Sequence, residues 1–104
     1  MFRYYYDILP KDYSNFPIFW SDEMLEWLTG SSLINEIIDR KNAMLSDYNE
    51  ICKFVPWFKL NHSFQEFLEI RTAVGSRNFG IVVENEKQTA LVPYADMLNH
   101  FRFV

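Results

Sequence analysis

The sequence predicts an α+β fold that is mainly helical, with about three helices, the middle one long, followed by a short β-hairpin. Three observations predict it. Apolar residues recur at spacings of three and four from Ile34 to Val55. Ser63 and Glu66 stand in capping-box register and open a further helical pattern. After Gly80 the period changes, and two short β-branched or apolar runs flank a polar stretch.

The elements follow in order. Residues 1–20 are rich in aromatics and hold Pro10 and Pro17. Prolines around Ser14 and Asn15 disfavour a helix, so this segment reads as an extended lead-in. Ser21 supplies a capping oxygen, and Asp22 and Glu23 place acids in a first turn. Met24, Leu25 and Leu28 share a face, Trp27 borders it, and Gly30 ends the helix in the left-handed conformation. Ser31 or Ser32 caps the long helix. Its apolar stripe is Ile34, Ile37, Ile38, Met44, Leu45, Tyr48, Ile51, Cys52 and Val55, and Pro56 stops it. Phe64, Phe67, Leu68, Arg71 and Val74 continue a third helix that ends at Gly75 or Gly80. Gly80–Val83 and Thr89–Val92 then read as two strands joined by residues 84–88.

Composition narrows the function. The 104 residues carry 10 Lys and Arg against 14 Asp and Glu, a formal charge of −4, which argues against sequence-independent nucleic-acid binding. No run of about 18 apolar residues occurs, so no membrane-spanning helix is expected. A single cysteine, Cys52, fits a reducing, intracellular setting, cytoplasm or nucleus. It falls on the apolar stripe and reads as an inert thiol. His62 and His100 have no second ligand at a metal-binding spacing, so no metal is expected. Aromatics make up 18% of the chain, more large rings than a core of this size readily hides, and exposed apolar surface is expected.

Two segments carry the functional signal. Ser76-Arg77-Asn78-Phe79 closes the third helix, where an arginine suits the dipole. Asp96-Met97-Leu98-Asn99-His100 follows the second strand and Pro93, and read alone it is a one-turn helix capped by Asp96 with Met97 and Leu98 packing. Together, separated by a hairpin, Ser76–Phe79 and Leu91-Val92-Pro93-Tyr94-Ala95-Asp96-Met97-Leu98-Asn99-His100 resemble the SET-domain protein methyltransferases, in the branch that includes the Rubisco large-subunit lysine methyltransferases. The run from Phe19 to Ser31 is similar to the opening of that branch's helical insertion, and Asp47-Tyr48 and Phe67-Leu68-Glu69 fall where the insertion has similar residues.

The resemblance implies a fold and a site. Residues 21–79 would be the helical insertion of a SET domain, and 80–104 the hairpin and Asn-His motif of its core. The activity implied is transfer of a methyl group from S-adenosylmethionine to a protein side chain, lysine for most of the family and histidine for some relatives. Arg77, Asn99 and His100 would hold the cofactor. Ser76, Arg77, Phe79 and Asp96 would line the substrate side. No catalytic residue is assigned, because the family's pocket tyrosine lies in a later segment, and neither Tyr94 nor the early tyrosines match it. A Gly-x-Gly turn that completes the family's cofactor site does not occur before Pro17. The chain ends four residues past His100, so an incomplete active site is expected. The partner implied is a protein substrate. An alternative reading is a non-catalytic helical interaction module derived from a SET domain.

Overall fold

A computed structural model describes residues 2–98 of the chain. In chain order the elements are α1 (Arg3–Ile8), α2 (Asp22–Leu25), α3 (Leu33–Phe54), α4 (Pro56–Asn61), α5 (Phe64–Arg77), β1 (Asn78–Val83) and β2 (Glu86–Leu91). Short 3₁₀ turns occupy Pro17–Phe19, Glu26–Leu28 and Ala95–Met97. The fold is α+β and mainly helical, with one antiparallel hairpin near the C-terminal end. The chain forms two compact units, one from residues 11–70, the other from 2–10 with 71–98.

The 11–70 unit is built on α3. Ser21 Oγ accepts from the Met24 amide at 3.3 Å, so the expected cap starts α2, and Gly30 leaves the helical pair at φ +89°. Ser31 Oγ then accepts from the Leu33 amide at 3.2 Å at the entry to α3. Pro56 stops α3 as its missing N–H requires, and the same residue occupies the first position of α4, where that N–H is not needed. The single long helix is therefore followed by a separate short one. Ser63 and Glu66 form the reciprocal capping box: Glu66 N–H donates to Ser63 Oγ and Ser63 N–H to Glu66 Oε2, both at 3.1 Å.

Tyr48 is the hub of this unit. Its ring lies 5.6–5.9 Å from the rings of Phe58, Phe64 and Phe67, all tilted, a spacing that aromatic pairs favour. Its hydroxyl donates to the His62 carbonyl at 2.6 Å, which ties α3 to the α4–α5 connection. Met44, Tyr48, Tyr13 and Leu68 are the buried apolar residues here, and Leu68 is 1% exposed. Ile38 and Leu45, assigned to the same stripe, are exposed. Cys52 is half-buried, and His62 lies in an exposed connection.

The second unit differs from expectation in three places. Arg3–Ile8 is helical, not extended, because both prolines fall after it and leave its amides free to bond. Gly75 lies inside α5 and Gly80 inside β1, so neither glycine ends the third helix. The helix runs to Arg77, and β1 begins at the next residue. The polar stretch 84–88 is mostly strand: β1 pairs with β2 from Asn78↔Leu91 to Val83↔Glu86, which leaves Glu84 and Asn85 as the whole turn. Both have positive φ, 50° and 66°, as a two-residue type I′ turn demands. Edge pairing hides a polar composition here, since strand faces that meet water can carry Glu, Lys and Gln.

Candidate functional site

The site is assembled from three stretches of the 2–10 and 71–98 unit. Arg77 is the last residue of α5, and the strand that starts immediately after it fixes the direction of exit. The hairpin reverses the chain so that Asn78 pairs with Leu91. Beyond β2, Tyr94 adopts φ 71°, and the turn Ala95–Met97 is closed by Met97 N–H to Tyr94 O at 3.2 Å and Leu98 N–H to Ala95 O at 3.3 Å. Asp96 sits in that turn.

The Asp96 carboxylate meets two groups. Its Oδ2 lies 3.5 Å from Arg77 Nη1, and the same oxygen accepts the hydroxyl hydrogen of Tyr5 from α1. The Asp96 side chain is 2% exposed and that of Arg77 26%. Its other oxygen, Oδ1, is buried without a hydrogen-bond partner among the described residues. An unsatisfied buried carboxylate oxygen is costly, and Arg77 is the cation that offsets it. Burial pushes the Tyr5 phenol up to about 12; the hydrogen bond to Asp96 and the negative charge there act in the same direction, and Arg77 opposes them. Asp96 therefore does not cap the terminal turn: Tyr94 holds that position, and the carboxylate is committed to Arg77 and Tyr5. Met97 and Leu98 do not pack either, being 51% and 73% exposed.

The other expected residues are distributed as follows. Ser76 Oγ donates back to the Ala73 carbonyl at 2.9 Å, a bond within its own helix. Phe79 is half-buried on β1, opposite Ala90. Asn99 and His100 lie outside the described residues. Tyr5 belongs to the cluster but escaped sequence reasoning. It stands 91 positions from Asp96, in a run of three tyrosines of which it alone is buried, and no local pattern distinguishes it. Beside it, Phe2, Tyr4, Ile8, Pro93, Tyr94 and Met97 line an apolar groove of about 510 Å³.

Among the described residues no group of three or more His, Cys, Asp or Glu could hold a metal ion, and no helix is long and apolar enough to cross a membrane. The arrangement offers a half-exposed guanidinium, a buried carboxylate behind it and an apolar groove alongside. Such a guanidinium can receive an anion through its unspent N–H groups.

The chain is similar to the ribulose-1,5-bisphosphate carboxylase/oxygenase large subunit N-methyltransferase of Nicotiana tabacum, chloroplastic, at 26% identity over 103 residues. The match covers 94% of this chain and 20% of that protein, so the chain spans about a fifth of the length of the relative it matches. No family model matches the chain, and no solved structure does.

Proposed function

We propose that the chain carries one wall of the cofactor and substrate site of a SET-class, S-adenosylmethionine-dependent protein methyltransferase that acts on a lysine side chain. In this reading residues 21–79 are the helical insertion and 80–104 the part of the core with the Asn-His motif. The observation that supports it best is the meeting of Arg77 with Asp96 at 3.5 Å. The two residues come from the two stretches that carry the family resemblance, and they lie 19 positions apart in sequence (96 − 77). The similarity to a protein N-methyltransferase points the same way.

The residues fit the amino-acid end of such a cofactor. A guanidinium has five N–H donors; Nη1 lies 3.5 Å from Asp96 Oδ2, and Asp96 Oδ1 accepts none of the five. Donors not turned to Asp96 can meet a carboxylate in a planar fork. When bound, the cofactor supplies an electrophilic methyl on a sulfonium sulfur. The chain's own groups position it and exclude water. Arg77 holds the carboxylate, with Asp96 behind it as a fixed counter-charge. Phe79 walls the channel to the side-chain amine. Ser76, its hydrogen spent on Ala73, presents an oxygen acceptor at the same mouth. Asn99 and His100 hold the adenine side, as the resemblance implies. The amine must be neutral to attack, and an apolar channel favours that form. The setting is intracellular.

Photocrosslinking with labelled S-adenosylmethionine tests this reading. Label should enter the protein, and Arg77→Ala should reduce it at least tenfold. In a longer protein that contains this chain, methyl transfer that survives both Arg77→Ala and Asn99→Ala at full rate overturns the reading. A second reading, a non-catalytic interaction module, is favoured by the exposed apolar side chains of the 11–70 unit: Trp27 is 88%, Leu60 87% and Phe54 73% exposed. Under it, Arg77→Ala leaves capture of a protein partner unchanged.

A further inference from the structure

We propose that Tyr5 is a positioning residue that keeps the Arg77 guanidinium beside one oxygen of Asp96 instead of forked across both, leaving donors for an incoming carboxylate. This rests on the reading of Arg77 as the anion-facing group of the site.

A carboxylate and a guanidinium left to themselves form a two-point fork, each nitrogen of one edge on its own oxygen. Here that does not happen. Arg77 Nη1 approaches Oδ2, the oxygen already taken by the Tyr5 hydroxyl, while Oδ1 has no partner among the described residues. The fork is thus refused although a buried acceptor stands open for it. Tyr5 is the group that accounts for this. Its ring is buried at 8% exposure, and it reaches Asp96 from α1, an element separate from both α5 and the terminal turn. By pinning Oδ2 it fixes the rotation of the carboxylate, and a fixed carboxylate cannot turn its free oxygen toward Arg77. The groups acting on the phenol are Asp96, Arg77 and Tyr6, and their sum with burial keeps it protonated, as a donor must be. Arg77 keeps its charge neutralised from one side only, with donor capacity to spare.

Tyr5→Phe removes the pin and keeps the ring. The guanidinium of Arg77, followed by nitrogen-resolved NMR of the chain, should then close its fork on Asp96. Rotation about its Cζ–Nε bond should slow at least threefold, and affinity for S-adenosylhomocysteine measured by calorimetry should fall by about the same factor. Arg77 signals identical in the two proteins would overturn the proposal. If Tyr5→Phe does not fold, a ring-resolved NMR titration of the unmodified chain decides: the Tyr5 phenol should stay protonated up to about 12, and a Tyr5 phenol that ionises at its ordinary value of 10.0 would overturn it. Slowed rotation in Tyr5→Phe with S-adenosylhomocysteine bound equally well by both proteins supports the role of Tyr5 and overturns the cofactor reading instead.

Discussion

Of the three buried tyrosines among the described residues, Tyr48 and Tyr5, from different compact units, put the same chemistry to different uses. Tyr48 is 7% exposed and Tyr5 8%, and each donates its hydroxyl hydrogen. Tyr48 donates to a backbone carbonyl 14 residues away, inside a ring of three phenylalanines. Tyr5 donates to a carboxylate 91 residues away, which is itself paired with an arginine. The first is a neutral bond inside an apolar cluster, and its work is to hold helices. The second belongs to a charged set with one oxygen unsatisfied, a poor way to gain stability. Burial by itself therefore does not identify a functional tyrosine. The charge of its partner, and whether that partner is fully satisfied, separates a structural cluster from a candidate site.

The largest expected effect falls on the apolar side of this contrast. Tyr48→Ala removes the ring that three others face, and large aromatic-to-alanine changes in cores cost about 3–5 kcal/mol. A urea melt that follows the aromatic cluster should show a loss of that order. A loss near zero would mean the cluster is not a core, and the contrast would collapse.

Next comes the charged side. Arg77→Met leaves the Asp96 carboxylate buried against Tyr5 alone. Breaking a fully buried pair costs about 3–5 kcal/mol, and the partial exposure of Arg77 reduces the expectation to about 1–3 kcal/mol. Adding Asp96→Asn removes the stranded charge, so the double variant should be more stable than Arg77→Met alone. Equal stability of the two would show that Asp96 bears no charge worth pairing.

A smaller effect is the dependence on alkaline pH. Tyr5 has its phenol raised from its ordinary value of 10.0 to about 12 in the folded chain. The unfolded chain ionises first, so the stabilisation from the neutral phenol is intact below about pH 10 and is lost between pH 10 and 12. Tyr48 is shifted upward too, by burial first. Tyr5→Phe should flatten the decline measured by denaturant melts across that window without abolishing it. A decline unchanged by the substitution would place Tyr5 outside the charged set.

How much of this was legible in the sequence depended on range. Ser21, Ser63 with Glu66, Gly30 and Pro56 act on their own neighbours within four residues, and local rules locate them. The hairpin was legible in existence but not in length, because its turn is Glu-Asn and its second strand is polar. Arg77 and Asp96 emerged through resemblance, since no spacing rule links a helix end to a turn beyond a hairpin. Tyr5 was invisible, because burial of one tyrosine in a run of three is decided by contacts from the far end of the chain. Gly75 and Gly80 misled, since a glycine tolerated inside a helix or strand leaves the same trace as one that ends it.

The smallest expected effect lies in the turn between the strands. Glu84 and Asn85 both have positive φ, at 50° and 66°. Asparagine tolerates that region, whereas glutamate pays about 1–2 kcal/mol there because its Cβ crowds the following carbonyl. Glu84→Asn should relieve part of this and stabilise the chain by about 0.5–1 kcal/mol, read from a thermal melt. It touches neither Tyr48 nor Asp96, but it tightens the ribbon that returns the chain from Arg77 toward Asp96. Amide exchange in β1 and β2 should therefore slow, while the ring signals of Tyr48 stay where they are. A gain in stability that appears around Tyr48 instead would mean that the two tyrosine environments are not energetically separate, and the division between a structural and a charged cluster would have to be redrawn.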